Sequence, residues 1–226
     1  MGDIIFSLPT IRAMGGGVLY LDPEGGRSSP LVQVAEKPHT KLNAASIESL
    51  KPVLLQQPYV LDVHQWRGET VDHDLDIFRQ HHRYNNLSDA HLAPFGLPFA
   101  ERDRQWLSID QPIVIPNCPI VLSRGVRYTG NFNFWQSILP KILRQSVFVG
   151  YPKDFEIFVY TFGHNVQYCP TPDILTLARV IAGCQQFISN PGLPHALAEG
   201  MKKSLIHECD RSAMAAIFNR PDATYV

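Results

Sequence analysis

The chain of 226 residues lacks most of the motifs that settle a function on sight. It has four cysteines, Cys118, Cys169, Cys184 and Cys209, widely spaced and with no C-x-x-C pair. Three of them sit in or beside apolar patterns, where small buried thiols are common, so a reduced, cytoplasmic setting is expected. The phosphate loop G-x-x-x-x-G-K-[ST] is absent, which leaves a P-loop kinase or ATPase unsupported, and G-x-S-x-G, the usual serine-hydrolase signal, is absent too. No apolar run approaches the length of a membrane span, and the start carries no charged segment followed by an apolar block, so neither a transmembrane segment nor a secretory leader is expected. There is no internal repeat and no low-complexity tract. Charge of one sign is lacking as well: 20 Lys and Arg against 21 Asp and Glu leave a net charge of −1. Broad nucleic-acid or membrane-surface binding favours a strong basic excess and is not expected here.

What remains is an ordinary globular composition, 45% hydrophobic and 18% charged, in a chain long enough to bury a real core. Its most informative stretch is Ile181–Gly200, IAGCQQFISNPGLPHALAEG. Thr171-Pro172-Asp173 is suited to start a helix, with Thr171 as cap, and Ile174, Leu175, Leu177, Ala178, Val180 and Ile181 follow at helical spacing. Gly183 stands where a left-handed residue would end that helix. Gln186–Ser189 has the length of a buried strand, Asn190-Pro191-Gly192 turns the chain, and Pro194 suits the first turn of the next helix. A turn at the carboxyl end of a strand and the amino end of a helix presents unpartnered N–H groups and a favourable dipole to an anion. Gly192 lets a phosphate approach the backbone, and His195 in the first turn can add a donor. The same residues also describe a plain capped strand-turn-helix connection.

Toward the amino end, Ile4, Ile5, Leu8, Ile11 and Ala13 share one helical face, with Pro9 expected in the first turn or at a kink. Val18–Leu21 reads as a strand, 22–27 as a turn, Leu31–Val34 as a short strand, Ser46–Gln57 as a helix weakened by Pro52, and Tyr59–Val63 as a strand. Asp72, Asp74 and Asp76 alternate with His73, Leu75 and Ile77, as on a solvated edge or loop, and the adjacent His81 and His82 diverge; no metal site is expected. The proline-rich stretch Leu92–Gln111, with Trp106-Leu107 as an anchor on the core, reads as the link between two halves, 1–112 and 113–226. Beyond it, strands at 119–123, 147–150, 166–168, 186–189 and near 205 alternate with helices at 135–143, 153–161, from 173 and from 194. That alternation predicts an α/β, doubly wound parallel sheet whose ligand lies at the carboxyl ends of the strands.

Two separated motifs resemble the heptosyltransferase-like glycosyltransferases of the GT-B fold (family 9-like). GDIIFSLPTIRAM, residues 2–14, is similar to that family's first loop and helix, which runs Gly-Asp, apolar residues, then Leu-Pro. FISNPGLPHALAEGM, residues 187–201, is similar to its donor-site strand, Asp-Thr-Gly-Leu-Ser-His turn and alanine-rich helix. The resemblance implies two Rossmann-like halves facing a cleft, an acceptor side within 1–112 and a nucleotide-sugar side within 113–226. Family members carry a strand directly before the Gly-Asp loop, whereas here only Met1 precedes Gly2, so the first half is expected to be short or incomplete.

Carried over by position, Asp3 falls on the family's candidate catalytic base, and Gly192 and His195 on the residues that hold the donor's diphosphate. Asn190 replaces the usual aspartate and Pro191 the usual threonine, which removes one charge and one polar contact. Glu156 lies near the expected nucleoside position, and Arg124 and Arg127 follow the first strand of the second half, where a basic residue would face the phosphates. The implied activity is transfer of a sugar from a nucleotide-diphosphate donor to the hydroxyl of a glycan or other acceptor. It would need no metal or other cofactor and would invert the anomeric centre. Arginines and a helix amino end can stabilise the leaving diphosphate, and a carboxylate can take the hydroxyl proton. Two other readings stay open: a non-catalytic nucleotide-sugar or protein-binding module, and a sugar-nucleotide epimerase.

Overall fold

The computed structural model describes residues 1–23, 42–81 and 86–226. The strand expected at 31–34, most of the turn at 22–27 and the residue His82 lie outside them. The first helix, α1 (Gly2–Ala13), is followed by β1 (Gly17–Leu21), α2 (Ala44–Leu54), β2 (Val60–Gln65) and the short α3 (Leu87–Leu92). Strands β1 and β2 pair in parallel as a two-stranded sheet.

Helix α1 is buried all round rather than along a single face: Ile5 through Ile11 are all withdrawn from solvent. The reason is position, since α3 packs on one side of it and α7 (Leu193–Gly200) on another. Pro9 sits inside the helix, not in its first turn. A proline there removes a backbone donor and costs about 3 kcal/mol in an exposed helix. Full burial of Ile5, Phe6, Leu8 and Ile11, at about 1.5–3 kcal/mol each, outweighs that cost.

The second half holds β3 (Ile120–Ser123), α4 (Phe132–Ile142), β4 (Ser146–Phe148), α5 (Pro152–Phe162), β5 (Gln167–Tyr168), α6 (Ile174–Gly183) and β6 (Gln186–Ser189). After α7 come β7 (Leu205–His207) and β8 (Ala223–Tyr225). All strand pairs are parallel, in the order β5-β4-β3-β6-β7-β8. This is the doubly wound arrangement, in which the chain leaves the central pair in opposite directions. Successive strand residues point to opposite faces. Val121, Val147, Val149 and Phe187 join one core with α6, α7, α1 and α2, while Leu122, Phe148 and Ile188 join another with Trp135, Leu139, Phe158 and Phe162. The first of these cores runs without a break from one half of the chain into the other.

The helix boundaries follow local chemistry. Asn43, Asn131 and Asp173 cap α2, α4 and α6, each side chain accepting from the amide three residues on at 2.6–3.0 Å. The cap of α6 is therefore Asp173 and not Thr171. Gly183 ends α6 without a left-handed conformation; a Cβ there would lie 2.1 Å from the Ile113 carbonyl oxygen, so it is the crossing backbone that requires glycine. The proline-rich stretch is a strap anchored on the core. Trp106 and Leu107 are buried, and both their amides donate to the Gly200 carbonyl at 3.0 Å. Gln57 ties it further, donating to the Ser108 carbonyl at 3.0 Å and accepting from its amide at 2.8 Å. All four cysteines are free thiols, and burial pushes that of Cys184 up to about 11. Among the described residues no helix is long and apolar enough to cross a membrane.

Candidate functional site

The two central strands end side by side, Ser123 of β3 paired with Ser189 of β6. The chain diverges there: one loop continues through Gly125 and Arg127, the other through Asn190-Pro191-Gly192 into α7. Asn190, only 3% exposed, clasps the two loops together. Its Oδ1 accepts from the Gly125 amide at 2.9 Å, and its Nδ2 donates to the Gly125 carbonyl at 2.7 Å and to that of Tyr128. Asparagine supplies both a donor and an acceptor here, which an aspartate could not. Over this switch point opens a cleft of about 2760 Å³. Single-ligand pockets span about 300–1,000 Å³, so the space suits more than one ligand.

The lower wall is built from strand ends: Gly125 and Arg127 after β3, Gly150 and Tyr151 after β4, Thr171 after β5, and Gly192 after β6. No side chain caps the first turn of α7, and Pro194 has no amide to offer. The backbone at Gly192 is extended (φ 164°), and a Cβ there would meet only the Pro194 Cδ, at 3.6 Å. The space in front of those amides is open. The opposite wall comes from the first half and includes Asp3. The amino ends of α1 and α7 meet at the cleft, with a Cβ on Gly2 3.8 Å from the Gly192 carbonyl oxygen.

The structure brings Asp3, Arg127, Asn190 and Gly192 to the cleft and takes three other expected residues elsewhere. Asp3 is exposed in the first turn of α1. Arg127 is exposed, its guanidinium 4.7 Å from the centre of the Tyr128 ring. Arg124 instead turns inward to Glu208, donating at 2.8 and 3.1 Å. His195 is a fully buried residue of α7, with its Nε2 2.9 Å from the Ala216 carbonyl and its ring 3.9 Å from that of His207. Burial holds its pKa below the usual histidine value; Glu199 and the Ala216 carbonyl oppose that shift and Arg220 adds to it. Glu156 is exposed on α5 and is not part of the cleft lining. The acid that α5 does contribute is Asp154, two residues earlier and so about 200° round the helix. Burial raises the Asp154 carboxyl above the ordinary range against the pull of the Val126 amide. Its place in the first turn, just after Pro152, is the sequence signal that singles it out. Two cleft residues carry no such signal, Asp76 and His91.

No protein-family model matches the chain, and no curated protein matches it. Among solved structures it is similar to the glycosyl transferase family 9 protein from Veillonella parvula, with a TM-score of 0.54 and 10% identity over 100% of this chain and 82% of that one. What the two share is the fold. The chain is thus an α/β protein of two Rossmann-like halves, with parallel sheets and a cleft at their carboxyl edges. Chemically, the lower wall can hold an anion against backbone amides and Arg127, while the upper wall sets a carboxylate across from it.

Proposed function

We propose that the protein is a glycosyltransferase. On this reading a nucleotide-diphosphate sugar lies along the half 113–226, and an acceptor hydroxyl enters from the half 1–112. The observation that carries the proposal is the meeting of two helix amino ends at one cleft, α1 bringing Asp3 and α7 bringing the open amides beside Gly192. The diphosphate would rest on those amides with Arg127 beside it, and Asn190 would keep the two phosphate-side loops in register. The acceptor oxygen attacks the anomeric carbon from the Asp3 side as the bond to the diphosphate oxygen breaks. The hydroxyl proton passes to Asp3 and the electron pair leaves with the diphosphate. Displacement from opposite faces inverts the centre, and the leaving charge is met by dipoles and a guanidinium without calling on a metal. Arg124 and His195 act behind the site in this scheme, fixing the β3 loop and α7. The family likeness supports the fold on which the scheme stands and no more.

The test is calorimetry with ADP, UDP, GDP and CDP, followed by release of the diphosphate from the matching nucleotide sugars. Binding of one diphosphate together with turnover that falls to background in Asp3→Asn is the expected result. Failure of every diphosphate to bind would overturn it. A second reading, a nucleotide-binding module without turnover, is favoured by the commitment of Arg124 and His195 to internal partners. Binding with equal background turnover in wild type and Asp3→Asn would select it.

A further inference from the structure

The upper wall of the cleft carries a charge pattern that donor binding does not use. Asp3, Glu69, Asp72, Asp74 and Asp76 all line it. Among the described residues the cationic side chain on that wall is Arg79, whose Nε lies 3.6 Å from an Asp76 oxygen. Asp76 shows how crowded the carboxylates are. Its pKa is raised, first by burial, against the pull of Arg79, and further by Asp74, Asp22 and Asp3.

Acidic residues around a rim are usually just a solvated surface, but this wall also contains His91. That side chain borders the cleft yet is only 3% exposed, stacked on Phe78 with ring centres 4.0 Å apart. Neither of its ring nitrogens has a hydrogen-bond partner among the described residues. The Asp3 backbone is close enough to draw its pKa upward, but burial prevails and Arg79 adds to it, leaving a value of about 3. His91 is therefore neutral at any working pH; one ring nitrogen is drawn toward the Asp3 backbone, and the hydrogen-bonding capacity of the other is unmet in a buried place. Such a group costs about 1–3 kcal/mol until something bonds to it.

We propose that this wall is the acceptor subsite and that its acceptor is a hydroxyl compound bearing a protonated amine, such as an amino sugar. The ammonium sits against Asp76 and Asp74, and His91 meets one of the acceptor's polar hydrogens. A wall of carboxylates in a cleft concentrates cations and repels anionic acceptors. The inference rests on the glycosyltransferase reading above, and the two can fail separately.

The experiment is ligand-observed NMR titration of the full chain with glucosamine and with N-acetylglucosamine, which keeps the ring hydroxyls and lacks the charge. Glucosamine should bind more tightly, with the difference shrinking as salt is raised. Asp76→Asn, or Asp74→Asn, which keeps the Oδ1 that accepts from the Asp76 amide, should weaken glucosamine by about two- to fivefold and leave N-acetylglucosamine unchanged. His91→Phe preserves the stack on Phe78 and should weaken both sugars. Equal binding of the two sugars, or no binding of glucosamine, overturns the inference. Diphosphate binding measured in the same samples separates the readings. Diphosphate without glucosamine sinks the acceptor assignment alone, and glucosamine without diphosphate sinks the donor site alone.

Discussion

Arg124 is closed onto Glu208 by two hydrogen bonds of 2.8 and 3.1 Å, with side chains 8% and 0% exposed. The same carboxylate accepts from the Trp135 indole at 2.7 Å and the Asn131 amide at 2.8 Å. The guanidinium also lies 5.2 Å from the centre of the Phe162 ring. One glutamate thus ties the loop after β3, the start of α4 and the end of β7 into a single unit beneath the cleft. Removing it leaves a buried guanidinium and a buried indole N–H without partners. Glu208→Ala should cost about 3–5 kcal/mol, seen as a lower denaturant midpoint at unchanged slope. A loss below about 1 kcal/mol would mean that water replaces the carboxylate and that the pair is not closed.

The adjoining histidines His195 and His207 make the fold sensitive to acid. His207 is wholly buried, both its ring nitrogens lack partners among the described residues, and burial, with His195 beside it, holds its pKa down at about 2. In the unfolded chain it titrates near its ordinary value of about 6.5, so below that pH the unfolded state binds the extra proton. Stability is thus full above about pH 6.5 and falls toward pH 2 at up to about 1.4 kcal/mol per pH unit for each such group. His91 and His195, shifted the same way, add to that fall. His207→Leu breaks no hydrogen bond, so it should be neutral or stabilising at pH 7 and should flatten the loss in acid. Denaturant melts of the two proteins between pH 7 and pH 4 will show whether the curves diverge as expected; parallel curves would disprove it.

Much of the second half was legible because its elements are written locally. Buried parallel strands read as short apolar runs such as Ile120–Leu122, and the helices between them carry caps or breakers at Asn131, Pro152, Gly163 and Asp173. Elements held by distant partners were not. Helix α3 has six residues, with Asp89 and His91 turned inward, and shows no amphipathic period; β8 is a three-residue edge strand. The site followed the same rule. Gly192 reads from the residues as the opening of a helix, Asp3 comes from the Gly-Asp resemblance, and both line the cleft. Arg124 and His195 are expected at the anion from their places after β3 and in the first turn of α7, and are drawn away by partners 84 and 21 residues distant, the Glu208 carboxylate and the Ala216 carbonyl. Glu156 is expected near the nucleoside, and choosing between it and Asp154 takes the phase of α5 against the sheet.

Gly183 offers a test in which two effects have opposite signs. By helix propensity alone, Gly→Ala inside a helix gains about 1 kcal/mol. At this position the new methyl would meet the Ile113 carbonyl oxygen at 2.1 Å and its carbon at 2.4 Å. Ile113 is itself fixed, its amide donating to the Arg179 carbonyl at 2.9 Å, so the strap cannot move aside freely. Overpacking of this kind costs about 1–3 kcal/mol, so after the propensity gain Gly183→Ala should destabilise the protein by a net amount of up to about 2 kcal/mol. A rise in melting temperature would show that the strap is not pressed on α6.

Gly192 separates folding from binding more cleanly. Its extended backbone is open to any residue, and a Cβ there finds only the Pro194 Cδ at an ordinary 3.6 Å. Gly192→Ala should therefore leave stability within about 0.5 kcal/mol of wild type. The methyl would nevertheless stand over the first-turn amides where the diphosphate is proposed to rest. Each hydrogen bond to a charged group contributes about 1.5–3 kcal/mol, so losing one should weaken diphosphate binding by about ten- to hundredfold. Calorimetry and thermal melts on one preparation give both quantities. If affinity is unchanged while the fold is intact, the diphosphate does not lie on α7, and the anion site must be sought elsewhere along the strand ends.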